Sequence, residues 1–370
     1  MRIRLLTLFA LFSALLFGQG GTGSITGSVT DSTGAVVPGA TVTATNQDTG
    51  FKREITVTAA GEFTIPGLVP GVYTLTATQP QFKTFTVKDL RLEIDQVARI
   101  EAKLEVGSVT EVVEVTGQSA LLQTEQSSVG AVVDRQKIVD FPLNGRNFVQ
   151  LGLLLPGVNE GDGGTATGSG NIPGGGISIA GLRPEQNSFQ LDGTSNTDQY
   201  QNILVVRPSV DAIQEFQVLT NTFGAEYGKA AGGVVNVVHK SGTNSYRGSL
   251  FEYLRNSALD TPGYFDGDKV PPFKRNQFGG SIGGPVVRDK VFFFGNLEEL
   301  RERLAITGIN NVLSAPAKAG AIFPVNPAIR PYLDLLPLPN DIVRSDGTGT
   351  RITSAATRST EHYVVLKGDY

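Results

Sequence analysis

Few side chains in this sequence are equipped for covalent or metal chemistry. It has no cysteine and two histidines, His239 and His362. Without thiols there is no disulfide framework, thiolate metal site, cysteine nucleophile or lipidated N-terminal cysteine. Neither histidine stands in a His-x-x-Glu or His-Glu-x-x-His setting, so zinc hydrolysis and Ser-His-Asp catalysis have no donor set. Glu298, Glu299 and Glu302 are the closest approach to a carboxylate pair of the glycosidase kind. They read as a solvated strand end. The glycine-rich stretch from Gly157 to Gly176 contains no Gly-x-x-x-x-Gly-Lys-Ser/Thr, and no Gly-x-Gly-x-x-Gly follows a strand, so it does not cradle phosphate. No catalytic residue, metal ligand or cofactor is expected, and an enzyme is the least favoured class.

The rest of the composition narrows the field. There are 370 residues with 45 Gly and 19 Pro, and 31 basic residues face 35 acidic ones. Glycine is abundant, and charge, at 18%, is scarce beside the roughly 25% of an ordinary soluble domain. No basic excess marks a nucleic-acid binder. Met1–Arg4 is a positive n-region, Leu5–Phe17 is apolar, and Gly18-Gln19-Gly20 supplies small residues. This is the order of an export signal, with cleavage near Gly20, and the run is too short to span a bilayer. No later stretch is apolar enough to cross as a helix, so membrane insertion of the mature chain must use strands.

Residues 24–105 read as a β-sandwich. Strand-like alternation recurs in Ile25-x-Gly27-x-Val29, Thr41–Thr45, Phe63-x-Ile65, Tyr73-x-Leu75-x-Ala77 and Val97–Leu104. Turns at Asp31–Gly34, Pro38-Gly39, Asp48–Gly50 and Pro66-Gly67 punctuate it at short intervals. Gly107–Gly117 is Val- and Thr-rich. It serves equally as a last sandwich strand or as a segment that adds to the sheet edge of a partner. We expect residues 24–104 to be an independent unit, joined flexibly through Gly107 and Gly117 and not packed on residues 130–240.

Residues 119–240 combine short helices and strands. A helix is expected from Asn147 to Pro156, and another start at Pro208-Ser209. Strands fall at Ile177–Ala180, Ser188–Asp192, Glu215–Leu219 and Gly233–Val238. From Asn276 to Gly284 two faces separate. Phe278 and Ile282 lie on one, Arg275, Gln277 and Ser281 on the other, as a wall between lipid and water requires. Further strands are expected at Tyr246–Leu254, Val291–Glu302 and Glu361–Tyr370, with connections alternating long and short. Val291–Phe294 is apolar on both faces, which alternation does not explain. Four strands cannot close a barrel, so the chain reads as the front third of a longer protein.

Several ordered motifs resemble known families. Gly27-x-Val29-x-Asp31, Pro38-Gly39-Ala40 and Leu68-x-Pro70-Gly71-x-Tyr73 resemble the carboxypeptidase-regulatory-like, transthyretin-like domain, which is non-catalytic. Ile179-x-Gly181-x-Arg183, Asn187, Leu191-Asp192-Gly193, Ile213-x-Glu215, Tyr227-Gly228 and Gly232-Gly233-Val234-Val235-Asn236 look like the plug of TonB-dependent outer-membrane transporters. Phe141–Asn147 and Ser241–Asn244 are similar to the Oar-like subgroup. Ala180 stands where many plugs have Arg. The resemblance implies a mainly β protein: signal peptide at 1–20, sandwich at 24–105, linker at 106–118, small α+β plug at 119–240, and the start of a transmembrane β-barrel at 244–370. It implies a transport receptor of the cell outer membrane, in contact with lipid, that takes up an unidentified substrate. It also implies a TonB-type periplasmic energy-transducing partner, with Glu111, Val112, Val113, Glu114 and Val115 where the partner's docking peptide lies. The alternative is an exported surface adhesion or binding protein built of β-domains.

Overall fold

The computed structural model describes residues 21–109, 112–116, 128–161, 176–200, 202, 204–262, 264 and 270–370. The export signal, Glu111, Gly117 and most of the glycine-rich stretch lie outside them.

Alternation drives the first domain. In β1 (Gly23–Asp31) buried and half-buried residues alternate, placing Ile25, Gly27 and Val29 inward, as a strand with one covered face requires. It lies between β4 (Glu62–Leu68), antiparallel, and β7 (Val97–Leu104), parallel. A Cβ on Gly27 would sit 1.8 Å from the Ile100 carbonyl oxygen, so only glycine permits this approach of β1 to β7. The second sheet runs β3 (Lys52–Thr56), β2 (Thr41–Asn46), β5 (Gly71–Thr78), β6 (Thr84–Leu92) and β8 (Val112–Thr116). Tyr73, Leu75, Ile65, Leu68, Leu90 and Leu104 are fully buried between the sheets. β8 is therefore the edge strand of the sandwich rather than part of a free linker, and its register on β6 is parallel, Thr84↔Val112 to Lys88↔Thr116.

The second domain, where the resemblance places a plug, contains a five-stranded sheet. Its order is β13 (Thr194–Ser195), β12 (Ser188–Leu191), β15 (Val234–His239), β14 (Ile213–Asn221) and β9 (Val129–Asp134). A hairpin of β10 (Val158–Glu160) and β11 (Ile177–Ile179) stands beside it. α1 (Arg135–Asp140) is capped by the Asp134 side chain, which accepts the Lys137 N–H. A 3-10 helix at Phe148–Leu154 follows the cap Asn147, where a helix was expected. Phe148 meets Phe216 edge-on, with ring centroids 5.3 Å apart, in a core completed by Ile138, Phe189 and Val237.

The remaining strands form a sheet in the order β16 (Arg247–Asn256), β17 (Phe273–Val287), β18 (Val291–Leu313) and β19 (Thr348–Asp369). β18 and β19 are much longer than the expected Val291–Glu302 and Glu361–Tyr370. A strand of 23 residues extends roughly 75 Å at about 3.3 Å per residue, well beyond the 9–11 residues that cross a bilayer. The Thr-rich approach from Thr348 continues the strand pattern toward its start. Ile282, Val364 and Leu366 are exposed. On the opposite face the Gln277 amide donates to Glu298 and the Arg275 guanidinium pairs with Glu302. Glu298 and Glu302 are thus buried and partnered, not a solvated strand end; their spacing of four puts both on the inward side. The apolar stretch is also resolved: Phe292 and Phe294 are buried, and Phe293 packs against Tyr246 at 6.4 Å.

The described residues divide into two compact units. One holds the sandwich, the plug and the strand segments Ser281–Asn296 and Val365–Tyr370; the other comprises Leu250–Gly280 and Leu297–Val364.

Candidate functional site

The candidate docking peptide is held along the sandwich. Val112, Val113, Glu114 and Val115 lie in β8, whose inner edge pairs with β6; its outer edge has no strand partner among the described residues. The approach to β8 is pinned. The Thr84 hydroxyl donates to the Val109 carbonyl at 2.8 Å, the Gly107 N–H reaches the Gln81 carbonyl, and Lys83 pairs with Glu105 at 3.4 Å. The backbone at this edge is what a strand-adding partner would read.

The plug residues fall into three groups. Gly181 (φ 75°) and Ala180 (φ 54°) turn the chain after β11, a conformation glycine adopts without cost. Arg183 opens the short 3-10 turn Pro184–Gln186, its N–H donating to the Gln186 side chain. Asn187 is a buried staple. Its Nδ2 donates to the Ile177 carbonyl at 2.8 Å and its Oδ1 accepts the Gly233 N–H at 3.0 Å. A side chain on Gly232 would strike that Oδ1, and one on Gly233 would strike Ile179.

Asp192, followed by Gly193 at φ 76°, accepts the backbone N–H of His239 at 2.9 Å and faces its Nδ1 at 2.7 Å. Burial works against ionisation of Asp192, but these contacts with His239 hold its carboxyl below the usual value. Next to this pair, Lys240 donates to the Asp211 carbonyl oxygen at 2.5 Å. Burial first, then repulsion from Arg135 and Arg146, lowers its pKa to about 8. The Asp211 carboxylate takes the Arg146 guanidinium and the Ser249 hydroxyl, the latter at 2.9 Å. The Asp211 carboxylate thereby joins an ion pair within residues 119–240 to a hydrogen bond from β16.

Glu215, Tyr227 and Asn236 form the third group, and they converge on the sandwich. The turn between β6 and β7 inserts Ile94, fully buried, with Asp95 at φ 54°. The Ile94 N–H donates to Glu215 Oε1 at 2.5 Å. Asp95 Oδ2 accepts the Tyr227 hydroxyl at 2.8 Å and Asn236 Nδ2 at 2.7 Å. Burial pushes the Glu215 carboxyl up to about 7; the Ile94 N–H and Arg91 pull the other way, while Glu93 and Asp134 add to the rise. The sandwich is therefore docked on the plug, not flexibly tethered beside it. Gly228, next to Tyr227, ends the 3-10 turn Ala225–Tyr227. Sequence reasoning missed Ile94 and Asp95; the available signal was an isoleucine at a turn apex between two carboxylates.

Comparison with known proteins follows this division. Residues 24–105 match the carboxypeptidase regulatory-like domain, 122–235 the TonB-dependent receptor plug domain, and 238–370 an outer membrane beta barrel domain. The TonB-dependent transporter Oar of Myxococcus xanthus is 27% identical over 335 residues, covering 84% of this chain. The chain spans 30% of that relative's length. Among solved structures, the outer membrane transporter YddB of Escherichia coli is 16% identical over 63% of this chain and 30% of its own, with a TM-score of 0.40. The siderophore receptor PirA of Acinetobacter baumannii is 21% identical over 49% of this chain and 28% of its own, at 0.35. The matched plug and barrel domains and this relative belong to outer-membrane receptors and transporters rather than to an enzyme class.

Proposed function

We propose that this chain, which carries the modules of a TonB-dependent receptor with an N-terminal carboxypeptidase regulatory-like domain, serves energy-coupled uptake of a substrate across the outer membrane. In this reading the plug occludes the barrel. A TonB-type periplasmic protein engages the segment Glu111–Val115 and draws on the plug. One observation supports the choice of segment. Val112–Thr116 is an edge strand lying in sequence between sandwich and plug, with its outer edge open among the described residues. Strand addition there needs backbone groups and tolerates side-chain change.

The test is direct binding of the purified full-length receptor to the periplasmic domain of its energy-transducing protein. Val113→Pro removes an N–H and fixes φ. It should weaken binding at least tenfold while leaving outer-membrane abundance unchanged, whereas Val113→Thr should bind normally. Unchanged binding by the proline variant would move the coupling segment elsewhere, with residues 125–133 the next place to look.

A further inference from the structure

Among the described residues, two sets of polar contacts carry the sandwich beyond its own core. The first is the turn at Glu93–Gln96 seated on Glu215, Tyr227 and Asn236 of the plug. The second is the β2–β3 turn. The Asp48 carbonyl accepts the Asn244 N–H at 2.9 Å, and the Asp48 carboxylate meets Arg247 at 3.3 Å. Asn244 in turn exchanges bonds with Asp289 in the short β17–β18 turn, its Nδ2 to Oδ1 at 2.7 Å and the Asp289 N–H to its Oδ1 at 2.9 Å. The fit is close, since a Cβ on Gly50 would lie 2.6 Å from Asp289 Oδ1. Beside the second contact is a cavity of about 170 Å³ bordered by Asn46, Asp48, Arg135, Lys240 and Arg247.

The geometry points to the sandwich as a two-point clamp: it grips the plug through Ile94 and Asp95 and the barrel's short turn through Asp48, and so holds the plug in the barrel. Three features favour a releasable clamp over a permanent fusion. Each grip rests on a few directional bonds, not on a shared apolar core, since the sandwich and plug cores are separate clusters. Ile94 is the single large apolar anchor of the plug-side turn. Asp95, the sandwich residue of the plug-side grip, accepts the Tyr227 and Asn236 bonds on one oxygen, so one displacement breaks both. Undocking therefore leaves both folds intact while freeing the face of the plug sheet that carries Glu215 and Asn236.

The test needs neither a substrate nor an energy source. These 370 residues contain no cysteine; in full-length receptor in outer-membrane vesicles, with any cysteine beyond them replaced by serine, an Asp95→Cys, Asn236→Cys pair reports on this contact alone. Mild oxidation should cross-link it nearly completely, and a Thr33→Cys, Asn236→Cys pair should stay reduced. Separately, Asp95→Ala and Asp48→Ala should each speed proteolytic cleavage of the plug about tenfold at sub-denaturing urea, consistent with loss of charge-assisted bonds, with the barrel left intact. An Asp95 pair that remains reduced although the receptor assembles would overturn the docking. Wild-type cleavage rates in both alanine variants would overturn the clamp.

Discussion

The Glu215 carboxyl should make sandwich docking depend on pH. Its docked pKa is about 7 against 4.5 for the free group. The docked state therefore binds the extra proton. The docking that Glu215 supports is complete below about pH 4.5, weakens as pH rises, and reaches its low plateau above about pH 7. If an undocked Glu215 is fully hydrated, the 2.5-unit difference corresponds to about 3 kcal/mol, or roughly 300-fold in the docking equilibrium. The plug sheet itself buries part of this side chain, so that figure is a ceiling. Glu215→Gln keeps an oxygen to accept the Ile94 N–H but carries no charge, so it should flatten the profile and tighten docking at pH 8. The assay is hydrogen exchange of the 90–100 peptide in full-length receptor from pH 5 to 8, corrected for intrinsic rates. Wild-type protection should fall across this range and the Gln variant's should not. Identical profiles for the two proteins would refute the linkage.

Other perturbations have equally definite outcomes. Phe216→Ala should cost the plug about 3–5 kcal/mol by opening a cavity beside Phe148, read as a lower urea midpoint for plug proteolysis. Gly27→Ala should push β1 from β7 and destabilise the sandwich by about 3 kcal/mol, seen as loss of its protease-resistant fragment while the plug persists. Leu366→Arg places a charge on an exposed apolar position of β19 and should lower the yield of heat-modifiable barrel on a gel.

Legibility in the sequence followed burial geometry. β1, β5 and β7 cover one face and leave the other wet, so Ile25, Leu75 and Ala98 fall on a period of two and the sandwich could be read directly. β15 is buried on both faces from Val234 to His239, and there alternation carries no information; only the ordered motif made it recognisable. Val112–Thr116 was ambiguous because an edge strand of a sandwich and a strand awaiting a partner share one pattern. The docking turn was out of reach for another reason. Glu215 lies 121 residues from Ile94, and nothing local to either shows that they meet. Likewise Glu298 looked solvated until Gln277, on the neighbouring strand, was placed beside it.

The parallel register of β8 on β6 has a mechanical side. A load along the strand axis is shared by all the rungs between Thr84↔Val112 and Lys88↔Thr116, which must yield nearly together. A load across the axis opens them one at a time, as a zip opens, at a fraction of the force. The same short ladder is thus a strong fastening in one direction and a weak one in another. The angle at which tension arrives, more than the number of bonds, decides whether β8 peels away alone or drags the sandwich with it.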